Sequence, residues 1–269
     1  MLAGLSPARR RLVLGLLAAL VVALVAVVGA VLIPKLTAQD PAPVSQEAPG
    51  PVLLVPGYGG STRSLKPLAD RLTAMGRDAS VVAVPGDGTG DLQASADVLA
   101  TAVDDALART GAHSVDVVGY SAGGVIARLW AADGGAAQAR RVVTLGSPHH
   151  GTTLADLAVG VAPAQCPVGC AQLTTHSQLL DRLNAGDETP DGPTWVSLWS
   201  TADQTVTPPE SARLAGAVDV PVQSVCADSQ VAHGQLPSDP VVQGIVLAEL
   251  AAGPPVQLGP ADCTRLRQG

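Results

Sequence analysis

The pentapeptide Gly119-Tyr120-Ser121-Ala122-Gly123 follows the apolar run Val115-Asp116-Val117-Val118 and precedes a stretch of helical pattern from Val125 to Ala132. A serine between two glycines, at the join of a strand and a helix, stands on a sharp turn where its hydroxyl can act as a nucleophile. The turn strains the serine backbone. Side chains at Gly119 and Gly123 would collide with the neighbouring strand and helix. The helix N-terminus behind the hydroxyl suits a developing oxyanion. The glycines and serine alone are weak evidence; the strand–turn–helix setting gives them their meaning. A hydroxyl also needs a base to take its proton, and the chain holds five histidines, at 113, 149, 150, 176 and 233.

These residues need a frame. From residue 52 onward, short apolar runs alternate with helical stretches. Strands are expected at Val52 to Val55, Ser80 to Val84, Val115 to Val118, Val142 to Leu145, Thr194 to Trp199 and Val222 to Cys226. Helices are expected at Leu65 to Met75, Asp91 to Arg109, Val125 to Ala132 and Pro240 to Ala251. In the second of these, Leu92, Ala96, Leu99, Val103 and Leu107 share one face. The strand runs are apolar throughout rather than alternating, as a sheet covered on both faces requires. The alternation implies an α/β fold with a mostly parallel central sheet and helices on both faces. Ligands of such sheets bind at the C-terminal ends of the strands, so the loops after Val55, Val118, Trp199 and Cys226 are where function is expected. Residues 149–193 break the rhythm and read as a small insertion over the site. His113 precedes a strand at the opposite edge and is expected at the surface. His149 and His150 follow the fourth strand, His176 lies in the insertion, and His233 lies between the last strand and the closing helix.

Together these features resemble the α/β-hydrolase superfamily, and within it the small secreted bacterial lipases and esterases. Val52-Leu-Leu-Val-Pro-Gly-Tyr-Gly-Gly-Ser61 is similar to the family's first strand and oxyanion loop, although many members carry His where Pro56 stands. Val142-Val-Thr-Leu-Gly-Ser-Pro-His-His-Gly-Thr152 is similar to the lipase pattern after the nucleophile's helix. The resemblance covers roughly residues 51 to 251. It implies a Ser–acid–His order of catalytic residues. That order points to Ser121 as nucleophile and His233 as base, with His150 as its rival. Asp203 is the expected acid, with Asp228 as its rival. The resemblance further implies oxyanion donors at the backbone N–H groups of Tyr58 and Ala122, with Gly57, Gly59 and Gly60 allowing close approach. The function implied is hydrolysis of carboxylic esters through an acyl-enzyme, with no cofactor and no metal. Acyl transfer to another alcohol, an amidase or peptidase activity, and a non-catalytic cell-envelope role are the alternatives. The apolar stretch from Leu154 to Val161 reads either as the wall or lid of an acyl pocket or as a helix packed on the core.

Composition limits the partners. Hydrophobic residues make up 47% and charged residues 14%, too apolar for a disordered chain. The net charge is −7, and Lys/Arg cluster only at the extreme N-terminus, so nucleic acid is not an expected partner. A small-molecule or lipid ester and a monomeric state are expected. Cysteines stand at 166, 170, 226 and 263. An even count in an exported chain favours disulfides, and pairing Cys166 with Cys170 and Cys226 with Cys263 is the expected arrangement, one of three possible. Arg9, Arg10 and Arg11 precede an unbroken apolar run from Leu12 to Ile33, long enough to span a bilayer. Residues 1–35 are therefore expected to be a signal peptide or a membrane anchor, and residues 36–51 a linker. Residues 52–269 are expected to form the catalytic domain, secreted or held at the outer face of the cytoplasmic membrane.

Overall fold

The computed structural model describes residues 44–268, together with Leu16 and residues 19–23. The chain divides into two compact units, Met1–Pro41 and Ala42–Gly269, and the second contains the fold. The apolar run from Leu12 to Ile33 and the first part of the expected linker lie outside the described residues, apart from Leu16 and residues 19–23, which are helical and exposed. Among the described residues no helix is long and apolar enough to cross a membrane.

The second unit alternates strand and helix as its apolar runs dictate. Its elements are β1 (Val52–Val55), α1 (Lys66–Ala74), β2 (Ala79–Val81), α2 (Leu92–Thr110), β3 (Val115–Tyr120), α3 (Ala122–Ala132), β4 (Ala139–Leu145), α4 (Thr153–Val161), α5 (Val168–Gln172), α6 (Gln178–Leu183), β5 (Thr194–Trp199), β6 (Val218–Pro221), α7 (Val222–Val225), α8 (Pro240–Glu249) and α9 (Cys263–Gln268). The strands form one parallel sheet in the order β2-β1-β3-β4-β5-β6. Successive side chains of a strand point to opposite faces, and here both faces are dry. Leu53, Val55, Val115, Val117 and Val142 pack against Leu92, Leu99 and Val103 of α2 and Val125 of α3. Val52, Leu54, Val118, Val143 and Leu145 pack against Leu68 and Leu72 of α1 and Ile245 and Val246 of α8. The ends of α2 follow from its sequence. Asp91 caps the N-terminus by accepting from Gln93 N–H (3.1 Å), and Gly111 takes the left-handed turn at the C-terminus with φ 70°.

Two expected strands differ: the second runs Ala79–Val81 rather than Ser80 to Val84, and the last one moves. Val222 to Cys226 is not a strand; residues 222–225 form the helical turn α7, and β6 lies four residues earlier. Val222, Val225 and Cys226 are all buried. A short buried apolar run has the same composition in either conformation, so periodicity could not separate the two. The residue that ends β6, Pro221, also stands at the start of α7.

The base of the sheet, at the strands' N-terminal ends, is held by buried charge. Asp116 on β3 receives Arg140 through Nε (2.9 Å) and Nη2 (2.6 Å), and Arg77 through Nη2 (2.6 Å). Arg140 also donates to the carbonyls of Gln46, Leu250 and Ala251. Arg77 donates to those of Gly50 and Leu250. The two guanidinium groups thus fasten the segment before β1 and the exit of α8 to one buried carboxylate. The described end of the expected linker, residues 44–51, is held against the domain in this way.

The insertion folds as three short helices, α4 to α6. Gln172 receives Leu92 N–H on its Oε1 (2.8 Å) and donates from Nε2 to Asp91 (2.7 Å), tying α5 to the start of α2. Arg128 of α3, fully buried, donates to the carbonyls of Glu188 and Leu183 and to Asn184 Oδ1. Burial lowers its pKa to about 10. The cysteines pair as Cys166–Cys170, within the insertion, and Cys226–Cys263, joining the end of α7 to α9.

Candidate active site

The turn after β3 has the backbone its sequence demands. Ser121 has φ 55° and ψ −126°, and among the described residues it alone, glycines apart, has a positive φ. Such a conformation costs on the order of 1–3 kcal/mol and persists only where its surroundings hold it. Ser121 N–H donates to Leu145 O (2.8 Å), fastening the turn to the end of β4. The two glycines of the motif are required by space. A Cβ on Gly119 would enter the backbone of Gly123 and Gly124, and one on Gly123 would strike the carbonyl of Val55. Helix α3 therefore starts directly against β1, with the Ser121 hydroxyl at its head.

Three of the expected residues meet there. His233, at the start of a short 3-10 turn between α7 and α8, has Nε2 3.0 Å from Ser121 Oγ. Its Nδ1 is 2.6 Å from Asp203 Oδ2. The other carboxylate oxygen of Asp203 accepts the N–H groups of Thr205 (2.8 Å) and Val206 (2.9 Å), which fix the carboxylate's rotation. Asp203 and His233 are both buried. An imidazole so held can take the serine proton on Nε2 while its Nδ1–H stays on the carboxylate. The rivals lie elsewhere. Asp228 is exposed and pairs with Arg267. His150 pairs with Glu188 Oε1 (3.0 Å) and the carbonyl of Ser211. His113 and His176 are exposed.

Of the expected oxyanion donors, one follows Ser121 directly and the other shares a cavity with it. Ala122 is the first residue of α3, where N–H groups have no partner within the helix. Tyr58 lies in the loop after β1 and borders the same cavity as Ser121. The neighbouring Gly59 and Gly60 have φ 85° and 62°, and their N–H groups donate to Gly88 O (3.1 Å) and Gly57 O (3.0 Å). That leaves the loop shaped by its glycines around Tyr58.

Two contacts at this site were not foreseen. Tyr120 lies beneath His233, with ring centroids 5.2 Å apart, and its hydroxyl donates to the His233 carbonyl (3.2 Å). Burial, helped by the Asp203 charge, pushes its pKa up to about 12, so it remains a donor. Gly146, with φ 55°, passes under the Asp203–His233 pair; a Cβ there would crowd Leu236 and both polar atoms of the pair. Gly146 stood in the stretch from Val142 to Thr152, but nothing local marked which glycine would face the histidine. His149 is wholly buried behind the site. Its Nε2 meets Thr144 Oγ1 (3.1 Å), its carbonyl accepts from Asn184 Nδ2 (3.0 Å), and its Nδ1 has no partner among the described residues. Burial pushes its pKa well below the usual 6.5, with the nearby Arg128 charge adding to the effect.

A family model described as alpha/beta hydrolase fold matches residues 50–164. Among solved structures, Aspergillus fumigatus lipase B superposes with TM-score 0.66 at 18% identity, over 85% of this chain and 63% of that one. Bacillus licheniformis lipase BlEst2 in its mature form superposes with TM-score 0.55 at 22% identity, over 67% of this chain and 85% of that one. The propeptide form of the same lipase gives TM-score 0.62 at 22% identity, over 81% and 55%. This chain thus spans a little under two thirds of the fungal lipase's length. No curated protein sequence matches it. The chain has the α/β-hydrolase fold. The solved structures named here, whose fold it shares, are lipases.

Proposed function

We propose that this protein is a serine carboxylic-ester hydrolase. Ser121 Oγ attacks the ester carbonyl as His233 Nε2 takes its proton, and Asp203 holds the imidazole and balances its charge. The tetrahedral oxyanion forms between the backbone N–H groups of Tyr58 and Ala122. His233 then protonates the departing alcohol, and water activated by the same imidazole releases the acid. The observation that carries this reading is the continuous chain from Ser121 through His233 to Asp203, at 3.0 and 2.6 Å, on a strained elbow. A satisfied structural histidine would not need its free nitrogen aimed at a serine held at positive φ.

Two disulfides close all four cysteines, the state that an oxidising compartment favours. They support export of the domain, with Arg9 to Ile33 as the export or anchoring segment. The full chain, produced through an oxidising pathway, is expected to hydrolyse p-nitrophenyl butyrate. Ser121→Ala is expected to lower kcat by at least about 10⁴-fold. A wild type inactive on every ester, or a variant of undiminished rate, overturns the reading.

A further inference from the structure

Beside Ser121 opens a cavity of about 200 Å³, roofed by the insertion. Leu154, Ala155 and Ala158 of α4, Leu173 after α5, and Val206 beyond Asp203 form its walls. Among the described residues no charged side chain lines it, and the hydroxyl of Thr152 is committed to the Thr205 carbonyl (2.7 Å). Apart from that residue and the hydroxyl-bearing Ser121, Tyr58 and Thr205, the lining is apolar, so the cavity takes hydrocarbon.

Its position says which part of an ester enters. The departing oxygen must come within hydrogen-bond reach of His233 Nε2 to receive a proton. Ser121 and Tyr58 border the cavity and His233 does not. The alcohol therefore lies on the His233 side, and the acyl chain turns away from the base into the cavity. Size sets its length. An apolar cavity of about 150 Å³ holds a six-carbon benzene ring, so by proportion this one holds about six to eight carbons. Ala155 and Ala158 are three residues apart on one face of α4, and a larger side chain at either would occupy that volume. The Cys166–Cys170 bridge secures the wall, since Cys170 itself lines the cavity.

We infer that this cavity is an acyl pocket selecting chains of about six to eight carbons, its length limited by Ala155 and Ala158. This rests on the ester-hydrolase reading above. The test is kcat/KM of the full chain on p-nitrophenyl esters from acetate to palmitate, at concentrations where each is monomeric. Burial of each methylene is expected to raise kcat/KM about fourfold. The rise should stop near hexanoate to octanoate. Ala158→Leu is expected to move that break to shorter chains and lower the octanoate-to-butanoate ratio at least about tenfold, some two methylenes' worth. Leu173→Ala should move the break to longer chains, so the two variants change the pocket's volume in opposite directions. Circular dichroism of each variant establishes that it is folded. A wild-type rise continuing through laurate, a maximum at acetate, or a break unmoved in both folded variants overturns the pocket assignment while leaving ester hydrolysis intact. Absence of any Ser121-dependent hydrolysis overturns the parent reading instead, and the pocket assignment with it.

Discussion

Serine at positive φ is costly, and the neighbours of Ser121 show how the cost is carried. Gly119 and Gly123 let α3 start directly against β1, and the Leu145 carbonyl secures the Ser121 N–H. Tyr120 extends the same logic to His233, because its hydroxyl holds the backbone of the loop that presents that imidazole. Tyr120→Phe removes one hydrogen bond, a net effect of about 0.5–1.5 kcal/mol. It is expected to lower kcat on p-nitrophenyl butyrate by roughly two- to tenfold, with KM little changed, as steady-state kinetics will show. The strained turn at Ser121 was legible because its five residues and their setting are contiguous in sequence. That His233 and Asp203 would meet Ser121 was legible only through the order that the resemblance implies. Tyr120 stands within the motif, but its contact left no trace there, since its partner lies 113 residues away. Gly146 was equally silent; a glycine forced by a histidine from another loop carries no local signature.

At the scale of elements, apolar runs identified the strands well, because a sheet buried on both faces needs them unbroken. The misplaced strand at 222–226 shows the limit of that signal. A run of four or five buried residues fits a strand or a helical turn, and the packing of Val222 and Val225 decides. The insertion was visible as a loss of rhythm, and one reading of Leu154 to Val161 was a helix, but α5 and α6 were not legible, since each has only five or six residues. The two disulfides act differently on these elements. Cys226–Cys263 closes a separation of 37 residues and holds α9 to the end of α7. By loop-closure entropy it contributes about 3–4 kcal/mol. Replacing both cysteines by serine is expected to lower the thermal unfolding midpoint by several degrees, measured by circular dichroism. Cys166–Cys170 spans only four residues and constrains the unfolded chain far less.

For the whole molecule, pH dependence of stability centres on His149. Burial holds this imidazole neutral in the folded state, with its pKa well below 6.5, whereas the unfolded chain binds a proton near that value. Below about pH 6.5 the unfolded state therefore takes up more protons, and stability falls as pH falls. The thermal midpoint is expected to drop between pH 7.5 and 5, and the slope to be shallower in His149→Gln. An equal slope in both proteins would assign the acid sensitivity to other groups. At the other end of the strands, Asp116, Arg77 and Arg140 gather Gln46, Gly50 and Leu250 at the base. The chain thus enters the domain at the foot of the sheet, while the mouth beside Ser121 opens at its head. A tag placed ahead of residue 44 and coupled to a bead would point the mouth outward into the flowing liquid. The protein therefore carries its own orientation for use as an immobilised reagent, and attachment through surface side chains near α4 would forfeit it.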